Sequence, residues 1–517
     1  MLVKIKGSAL MGIKAITITI EINVSMGQGY SIVGLPDSSV KESLDRTESA
    51  IKANGYHMPR TKVLVNLSPA DLKKTGAAFD LPIAIGLIAA SEQLNSFIPL
   101  DQFLIMGELG LDGLLYPIKG ALAMAIQAKQ EGLLGIILPM ENIQEAKMIE
   151  GLAVFGFNQL SEVVHFLKEG STYEVRPLLK ADYSATIIAQ KPLPKFEDIK
   201  GQLHCKRALE IASAGGHNLM MIGPPGAGKT MLAKSIVSIL PPLSKTEALE
   251  TTQIYSATNK GVIIDKLLVE RPFRQPHHTI SNIAMIGGGS SPQPGEISMA
   301  HNGVLFLDEL PEFNRNVIEV LRQPMEEGMV HIARAKMSVV YPARFMLLAA
   351  MNPCPCGFYN HPSKECLCTS TAIQRYLNKI SGPLLDRIDL HVEVTPIGFS
   401  ELQKANTVSS SAEIALNVKR ARLIQAERFK MTESTFANAE MNGKQLLQYC
   451  NLNKESSILL HKAMDQFQLS ARAHDRIIKV ARTIADLSNS ENIQPVHISE
   501  AIQYRNLDRS NWGKLKD

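Results

Sequence analysis

A glycine-rich stretch at residues 223–230 constrains the fold of this chain more than any other feature. It reads Gly-Pro-Pro-Gly-Ala-Gly-Lys-Thr and fits the pattern G-x-x-x-x-G-K-[ST]. The apolar run Leu219–Ile222 precedes it, and a mostly apolar run at 231–240 follows it. A buried strand that leads through such a turn into a helix is the setting in which this pattern binds phosphate. A glycine-rich turn without a ligand is the competing interpretation, and the flanking strand and helix disfavour it.

The residue types in this stretch predict a site for a nucleoside triphosphate. Glycine lets backbone N–H groups turn toward phosphate oxygens, and the helix N-terminus adds a partial positive charge. Lys229 is expected to reach the β and γ phosphates, and the Thr230 hydroxyl to ligate Mg²⁺. The predicted site for ATP and Mg²⁺ therefore comprises Gly223, Pro224, Pro225, Gly226, Ala227, Gly228, Lys229 and Thr230.

The size and composition of the chain limit the number of domains and the class of protein only broadly. A chain of 517 residues is too long for one hydrophobic core, so two to four domains are expected. Hydrophobic residues make up 45% of it and charged residues 20%, as in ordinary globular proteins. The net charge of +4 permits a nucleic-acid partner without requiring one. The longest apolar run, at 81–90, is too short to cross a bilayer, so we expect a cytoplasmic protein without a membrane partner.

Four segments are expected along the chain. Residues 1–170 mix alternating apolar runs with helical stretches, which predicts an α+β domain. Residues 171–195 lose this periodicity and contain several prolines, which predicts a linker. Residues 196–395 surround the glycine-rich stretch and predict an α/β ATPase core with a parallel sheet. Residues 396–517 contain long amphipathic patterns that predict a helical lid.

Two more apolar strands end in polar residues. The run at 303–307 leads into Asp308 and Glu309. Because ligands of parallel sheets bind at the carboxyl ends of strands, Asp308 is expected to hold Mg²⁺ and Glu309 to polarise the attacking water. A solvated acidic pair is the alternative. The run at 345–351 leads into Asn352, which is expected to hydrogen-bond the γ phosphate or that water.

These motifs together resemble the AAA+ superfamily, with Walker A at 223–230, Walker B at 304–309 and sensor 1 at Asn352. Three further stretches, 271–279, 287–295 and 384–389, resemble its magnesium-chelatase-like branch. Around residues 107–132 the chain resembles the proteolytic domain of Lon-type proteases, which has an S5-like fold. The combination is similar to the YifB/ComM family of magnesium-chelatase-like ATPases and covers nearly the whole chain.

The resemblance implies an assembly and further site residues. It implies a homohexameric ring in which Arg387 is an arginine finger that reaches into a neighbour's nucleotide site. Arg472 is expected to be the sensor 2 arginine, with Arg476 as the competing choice one turn along the same helix. Ile199 either packs against the base of the nucleotide or belongs to the core.

A hairpin is predicted at 328–341, just before sensor 1. In families that this chain resembles, such a hairpin points into the pore of the ring. Arg334 and Lys336 would then contact DNA phosphates without reading the base sequence. A solvated hairpin tip is the alternative, and the glycine- and serine-containing insert at 282–299 is a second candidate for the pore.

The Lon-like resemblance does not extend to a peptidase site. A Lon-like protease needs a nucleophilic serine and a lysine that assists its deprotonation. The matching positions hold Ile83 and Leu122, whose side chains offer neither group. We therefore expect residues 1–170 to form a scaffold.

Four cysteines form the pattern C-x-C-x9-C-x-C directly after Asn352. Four thiolates in so short a segment predict a tetrahedral Zn²⁺ site, although C-x-C spacing is less specific than C-x2-C. Reduced free thiols and a redox disulfide are the alternatives. The predicted zinc ligands are Cys354, Cys356, Cys366 and Cys368.

The sequence thus supports one leading hypothesis for function and two others. The resemblance implies an ATP-driven hexameric DNA motor, a helicase or branch migration translocase, that acts in recombination during natural transformation. A magnesium-chelatase-type motor that remodels a protein partner is the second hypothesis. An ATP-dependent protease is the third, and Ile83 and Leu122 disfavour it.

Overall fold

The computed structural model describes residues 1–169, 194–258, 266–289, 292–334, 337–359, 361, 363–396, 410–432 and 435–505. The chain divides into two compact units. The first contains residues 1–186, 245–269 and 335–339, and the second contains residues 187–244, 270–334 and 340–517. The expected linker at 171–195 lies outside the described residues, apart from its last two.

The first unit contains a mixed seven-stranded sheet in the order β3-β4-β2-β1-β5-β8-β9. Strand β2 shows why the chain forms it. Ile18, Ile20 and Ile22 are fully buried on one face, as the period of two in the sequence predicted. The strands are β1 (Leu2–Met11), β2 (Lys14–Ser25), β3 (Tyr30–Val33), β4 (Lys62–Ser68), β5 (Phe103–Ile105), β8 (Gly135–Pro139) and β9 (Ala153–Phe157), with a separate pair, β6 (Glu108–Leu109) and β7 (Leu115–Tyr116).

The helices of the first unit pack around one apolar core. The Asp80–Ala90 helix is buried along its whole length, as expected for a helix that is apolar all round. Its one carboxylate, Asp80, is buried beside Arg46, whose Nε lies 2.7 Å away, and this pairing compensates the buried charge. The helices are Ser38–Ala53, Asp80–Ala90, Ala121–Gln130, Ile143–Ala146, Leu160–Glu169 and Lys245–Thr258.

The Lys245–Thr258 helix belongs to the first unit, although residues 187–244 before it and residues 270–334 after it lie in the second. Gln253 donates a hydrogen bond to the Ile13 carbonyl at 2.8 Å, and Ser256 donates to the carboxylate of Glu145. Leu249 packs against the core of the first unit. A helix from within residues 196–395 therefore contributes to the N-terminal core.

The second unit contains a five-stranded sheet, in the order β11-β14-β17-β10-β18, whose neighbouring strands are all parallel. Strands β10 and β14 are buried at every position, which fits the continuous apolar runs expected of parallel strands. The strands are β10 (Leu219–Ile222), β11 (Phe273–Arg274), β14 (Gly303–Leu307), β17 (Phe345–Met351) and β18 (Leu390–Glu393). Two small ladders pair β12 (Gly287–Gly288) with β13 (Gln293–Pro294) and β15 (Met329–Arg334) with β16 (Met337–Pro342).

The described residues after 410 are largely helical, and their role as a lid stays a prediction. The Ala471–Leu487 helix starts after Ser470, whose side chain accepts a hydrogen bond from the Ala473 N–H, and it buries Ile477 and Ile484 in the core. The helices of the second unit are Leu203–Gly215, Lys229–Ser235, Asn282–Ile286, Glu296–Met299, Arg315–Glu319, Arg322–Glu327, Ser370–Leu377, Gly382–Leu385, Ser411–Arg428, Gly443–Tyr449, Lys454–Phe467, Ala471–Leu487 and Pro495–Gln503.

The helix after the glycine-rich stretch ends at Ser235 and continues as a 3₁₀ turn at Ile236–Ser238, so it is shorter than the pattern predicted. The hairpin predicted at 328–341 is present as the β15–β16 pair. Within the described ranges, every helix is too short or too polar to cross a bilayer.

Candidate nucleotide site

The predicted nucleotide-binding residues follow three neighbouring strands of the second sheet. Because β14, β17 and β10 are adjacent and parallel, their carboxyl ends lie at one edge. The glycine-rich stretch follows β10, Asp308 and Glu309 follow β14, and Asn352 follows β17. The fold therefore brings together residues that are far apart in the sequence.

The glycines of the 223–230 stretch, called the phosphate loop below, meet two backbone requirements. Gly226 and Gly228 adopt φ values of +79° and +89°, which favour glycine. At Gly223 the constraint is space, because a Cβ there would lie 2.2 Å from the carbonyl oxygen of Val394, the residue that follows β18. The motif is therefore fitted to this sheet edge as well as to phosphate.

Lys229 links the phosphate loop to Asn352. Its Nζ donates to the carbonyl oxygens of Gly223 at 2.6 Å and Pro224 at 2.9 Å, and to Asn352 Oδ1 at 3.0 Å. Burial lowers the pKa of Lys229, and the neighbouring carboxylates oppose this shift. The ammonium group is thus held where a phosphate oxygen would compete for its hydrogen bonds.

Thr230 and Asp308 form a pair suited to Mg²⁺. The Thr230 hydroxyl donates to Asp308 Oδ2 at 2.7 Å. Adjacent ligands of an octahedral Mg²⁺ ion are about 2.9 Å apart when each metal–oxygen bond is about 2.05 Å. The two oxygens are therefore close to the spacing at which both could bind one ion.

Glu309 is more exposed to solvent than Asp308. Its backbone is left-handed, with φ +53°, and its side chain is 59% exposed. His278 Nδ1 lies 3.9 Å from Glu309 Oε2, so a histidine stands beside the predicted water-polarising carboxylate. Local sequence patterns do not mark His278 as a site residue, although it lies in the 271–279 stretch that carries the family resemblance.

Arg387 is held by an acidic partner. Its Nη2 lies 2.5 Å from Glu326 Oε1, and its Nη1 donates to the Pro383 carbonyl at 2.6 Å. The Arg387 side chain is only 13% exposed. Nothing in the sequence pointed to Glu326, because it lies far from Arg387 along the chain and in no recognised motif.

The two candidate sensor 2 arginines have different surroundings. Arg472 is 65% exposed, and its nearest carboxylate oxygen, on Asp386, is 3.7 Å away. Arg476 donates to Asp389 Oδ1 at 2.7 Å, and Asp389 is fully buried. Burial alone would raise the pKa of Asp389, but Arg476 and His217 hold it well below its usual range. Arg476 is therefore tied into the fold, whereas Arg472 is available to a ligand.

Alanine substitutions should separate these two roles. Arg476→Ala leaves a buried carboxylate without its cation and is expected to lower the free energy of unfolding by about 3–5 kcal/mol. Arg472→Ala removes an exposed pair and should change it by less than about 1 kcal/mol, while slowing ATP turnover. Urea unfolding and ATPase assays measure both quantities. A stable Arg476→Ala variant with lost turnover, beside an active Arg472→Ala variant, would assign sensor 2 to Arg476.

Ile199 lies in the core of the second unit. It is 5% exposed, and its carbonyl oxygen accepts a hydrogen bond from Lys206 Nζ at 2.5 Å. Ile199 therefore has the contacts of a core residue, and its contact with a nucleotide base stays a prediction.

The four cysteines of the C-x-C-x9-C-x-C segment form a compact cluster. Their sulfur atoms all lie within 4.8 Å of one another. Cys354 Sγ is 3.3 Å from Cys356 Sγ and 3.7 Å from Cys366 Sγ. These separations are far from the disulfide length of about 2.05 Å. They approach the edge of about 3.8 Å that tetrahedral zinc with bonds of about 2.3 Å requires, so the thiols, once deprotonated, fit that ion.

The surroundings of the cluster favour ionisation of Cys356 and oppose ionisation of Cys366. Partial burial acts against ionisation of Cys356, but hydrogen bonds from the Phe358 backbone and the neighbouring thiols lower its pKa to about 6. Burial and the neighbouring sulfurs raise the pKa of Cys366 to about 12. A divalent cation stabilises all the thiolates at once, which is how metal binding releases protons from such sites.

The structure does not describe the side chains that are predicted to contact DNA. Lys336 lies between β15 and β16 in a stretch that the structure does not describe, and the side chain of Arg334 is likewise not described. Their role stays a prediction.

The two positions that would carry a Lon-like peptidase site are both inside the core of the first unit. Ile83 and Leu122 are fully buried. The backbone N–H of Leu122 donates to Glu145 Oε1 at 3.0 Å. Each side chain serves packing at its position.

Comparisons with known proteins identify the class to which this fold and site belong. A family model described as magnesium chelatase, subunit ChlI, matches residues 195–402. Models for subunit ChlI of Mg-chelatase and for the ChlI C-terminal region match residues 20–142 and 408–505. The chain is therefore a magnesium-chelatase-like, AAA+-type ATPase. The model that matches residues 20–142 also covers the stretch at 107–132 that resembles Lon-type proteases.

Relatives named YifB and ComM match nearly the full length of this chain. "Uncharacterized protein YifB" of Salmonella typhimurium is 44% identical over 97% of this chain and 96% of its own length. "Competence protein ComM" of Haemophilus influenzae is 42% identical over 97% of both chains. The chloroplastic magnesium-chelatase subunit ChlI of Glycine max is 20% identical over 64% of this chain and 77% of its own. The chain belongs to the YifB/ComM family.

Proposed function

We propose that this protein is an ATP-driven hexameric motor that moves along DNA as a helicase or branch migration translocase, in recombination during natural transformation. The observation that carries the proposal is the convergence of Lys229, the Thr230–Asp308 pair and Asn352 at one edge of a parallel sheet. The competence protein among its full-length relatives supports the biological setting.

The geometry supports a separate role for each site residue in ATP cleavage. Lys229 would exchange its carbonyl partners for β and γ phosphate oxygens, and Asn352 would report the state of the γ phosphate through the same ammonium group. Thr230 and Asp308 would hold Mg²⁺, which neutralises charge on the phosphates. Glu309 would polarise the attacking water and take up its proton. Arg387 of a neighbouring subunit would stabilise charge in the transition state.

The β15–β16 hairpin is the proposed DNA contact. We predict that Lys336→Ala reduces the stimulation of ATPase activity by DNA and leaves the basal rate unchanged, because loss of one phosphate contact weakens binding without touching the nucleotide site. Rates with single-stranded, forked and four-way DNA, each at several salt concentrations, measure the effect. Arg334→Ala should behave in the same way.

Two outcomes would count against this assignment. Equal loss of the basal and the stimulated rate in Lys336→Ala would remove the hairpin from the DNA contact. No stimulation of the wild-type ATPase by any DNA would remove the DNA motor and leave the ATPase. Lys430→Ala is the matched control, because Lys430 is 70% exposed and its Nζ lies 3.5 Å from Glu427 Oε1, outside both the hairpin and the cysteine cluster.

A magnesium-chelatase-type motor that remodels a protein partner is the second candidate. It is favoured by the ChlI models that match three parts of the chain. The same ATPase assay discriminates, because such a motor would be indifferent to DNA.

Three further properties belong to the proposal. The four-cysteine cluster holds Zn²⁺, supported by its sulfur separations. The first unit is a Lon-like, S5-like scaffold without protease function, supported by the aliphatic residues Ile83 and Leu122. The protein acts in the cytoplasm, where DNA and ATP are both available.

A further inference from the structure

The four-cysteine cluster is joined to the phosphate loop through Asn352. Cys354 is the second residue after Asn352 and is fully buried. Asn352 Oδ1 accepts the hydrogen bond from Lys229 Nζ at 3.0 Å. Any ligand that fixes Cys354 therefore also fixes the backbone that presents Asn352 to the phosphate-binding lysine.

A second contact joins the cluster to the other end of the phosphate loop. Gly357 directly follows Cys356, has φ +83°, and donates its N–H to the Cys354 carbonyl at 3.0 Å. A Cβ at Gly357 would lie 2.5 Å from Pro225 Cδ. The turn formed by residues 354–357 thus packs against the Pro225 ring through Gly357, where there is no space for a side chain.

The two contacts reach the phosphate loop at separate points, Pro225 near its start and Lys229 near its end. The four sulfur atoms are close enough to bind one divalent cation together, and an ion bound by all four fixes their positions relative to one another. We infer that zinc occupancy of the four-cysteine cluster sets the placement of Pro225 and Asn352, so that metal loading tunes the affinity of the phosphate loop for nucleotide. The inference rests on the proposed zinc and nucleotide binding and is independent of DNA.

This coupling differs from a purely structural role for the metal. If zinc only fastened a surface segment, its removal would lower the unfolding temperature without changing nucleotide affinity. Coupling requires both to change, since the same turn contacts the phosphate loop. Affinity for nucleotide is therefore the decisive measurement.

The first test compares zinc-loaded protein with zinc-stripped protein. Metal analysis should find about one zinc per chain, and little in the Cys354→Ser variant. Binding of a fluorescent ADP analogue, with Mg²⁺ restored after chelation, should weaken about five-fold or more in the stripped protein and recover when zinc is added back. Cys450→Ser, a buried cysteine outside the cluster, is the control and should retain zinc and affinity.

The second test examines the contact and keeps all four cysteines. In Gly357→Ala the new Cβ must displace the Pro225 ring, so zinc should be retained while analogue affinity falls. The same substitution in a Pro225→Ala background should have a much smaller effect, because the atoms that it meets are gone. Gly132→Ala is the matched control, since Gly132 has φ +71° with nothing within 4 Å of its Cβ position.

The inference is overturned if no zinc binds, or if zinc removal leaves analogue affinity unchanged in protein that is still folded by circular dichroism. It is also overturned if Gly357→Ala weakens binding equally with and without Pro225→Ala. A protein that passes these tests but ignores DNA keeps the coupling and loses the motor assignment. One that fails them but is stimulated by DNA loses only the coupling.

Discussion

The Glu309→Gln variant is expected to bind ATP as the wild-type protein does and to hydrolyse it about 10²–10⁴-fold more slowly. Glutamine keeps the size of the side chain but cannot accept the proton of the attacking water. The substitution leaves the predicted Mg²⁺ ligands in place, because the hydrogen bond there joins Thr230 to Asp308 and does not involve Glu309. Single-turnover hydrolysis, measured beside equilibrium binding of a nucleotide analogue, separates the chemical step from affinity.

Glu312→Gln is the control for a change of charge at this edge of the sheet. Glu312 is half-exposed and lies 3.3 Å from Lys379 Nζ, so its substitution should leave turnover close to that of the wild type. Normal hydrolysis by Glu309→Gln would show that another group activates the water. His278, 3.9 Å from Glu309, would then be the first residue to test.

Local patterns in the sequence were sufficient for the strands and loops that carry the nucleotide site. The apolar run Leu219–Ile222 forms a strand with those bounds, and the run before Asp308 forms a second one. Each signal depends only on neighbouring residues, and the rule that parallel strands present ligand sites at their carboxyl ends supplies the rest. The convergence of Lys229, Asp308 and Asn352 could therefore be expected from the sequence alone.

Contacts between distant segments could not be predicted in this way. No periodicity indicates that Glu326 holds Arg387, or that Gly357 rests on Pro225. The Lys245–Thr258 helix has a sequence compatible with either unit, and only its packing against the N-terminal core places it there. Such contacts arise from tertiary packing, which a single sequence does not encode locally.

The Arg387→Ala variant is expected to lose about 10³-fold or more in ATP turnover, because each site would lack the cation that stabilises the transition state. The Lys229→Ala variant should be equally inactive for a different reason, since it removes the cation that binds the phosphates. ATPase rates of each variant alone measure these losses. Size-exclusion chromatography with nucleotide checks that each still assembles.

Mixing the two inactive variants tests whether Arg387 acts on a neighbouring subunit. A subunit with Arg387→Ala keeps an intact phosphate loop, and a subunit with Lys229→Ala keeps an intact arginine. At each subunit boundary of a randomly mixed ring, the phosphate loop is intact half the time. The arginine from the neighbouring subunit is also intact half the time, so both are intact at about a quarter of the boundaries. ATPase activity should therefore return to about a quarter of the wild-type rate, whereas action within one chain would restore none.

The Glu326→Ala variant tests whether Arg387 has only a structural role. Arg387 is 13% exposed and lies 2.5 Å from Glu326, so it must leave that carboxylate before it can contact a nucleotide on another chain. If the arginine only stabilised the fold through this pair, Glu326→Ala would impair turnover as severely as Arg387→Ala, and mixing would rescue neither. If it acts in the ring, Glu326→Ala should retain most of the turnover, because the arginine is still present and one competitor for it has been removed.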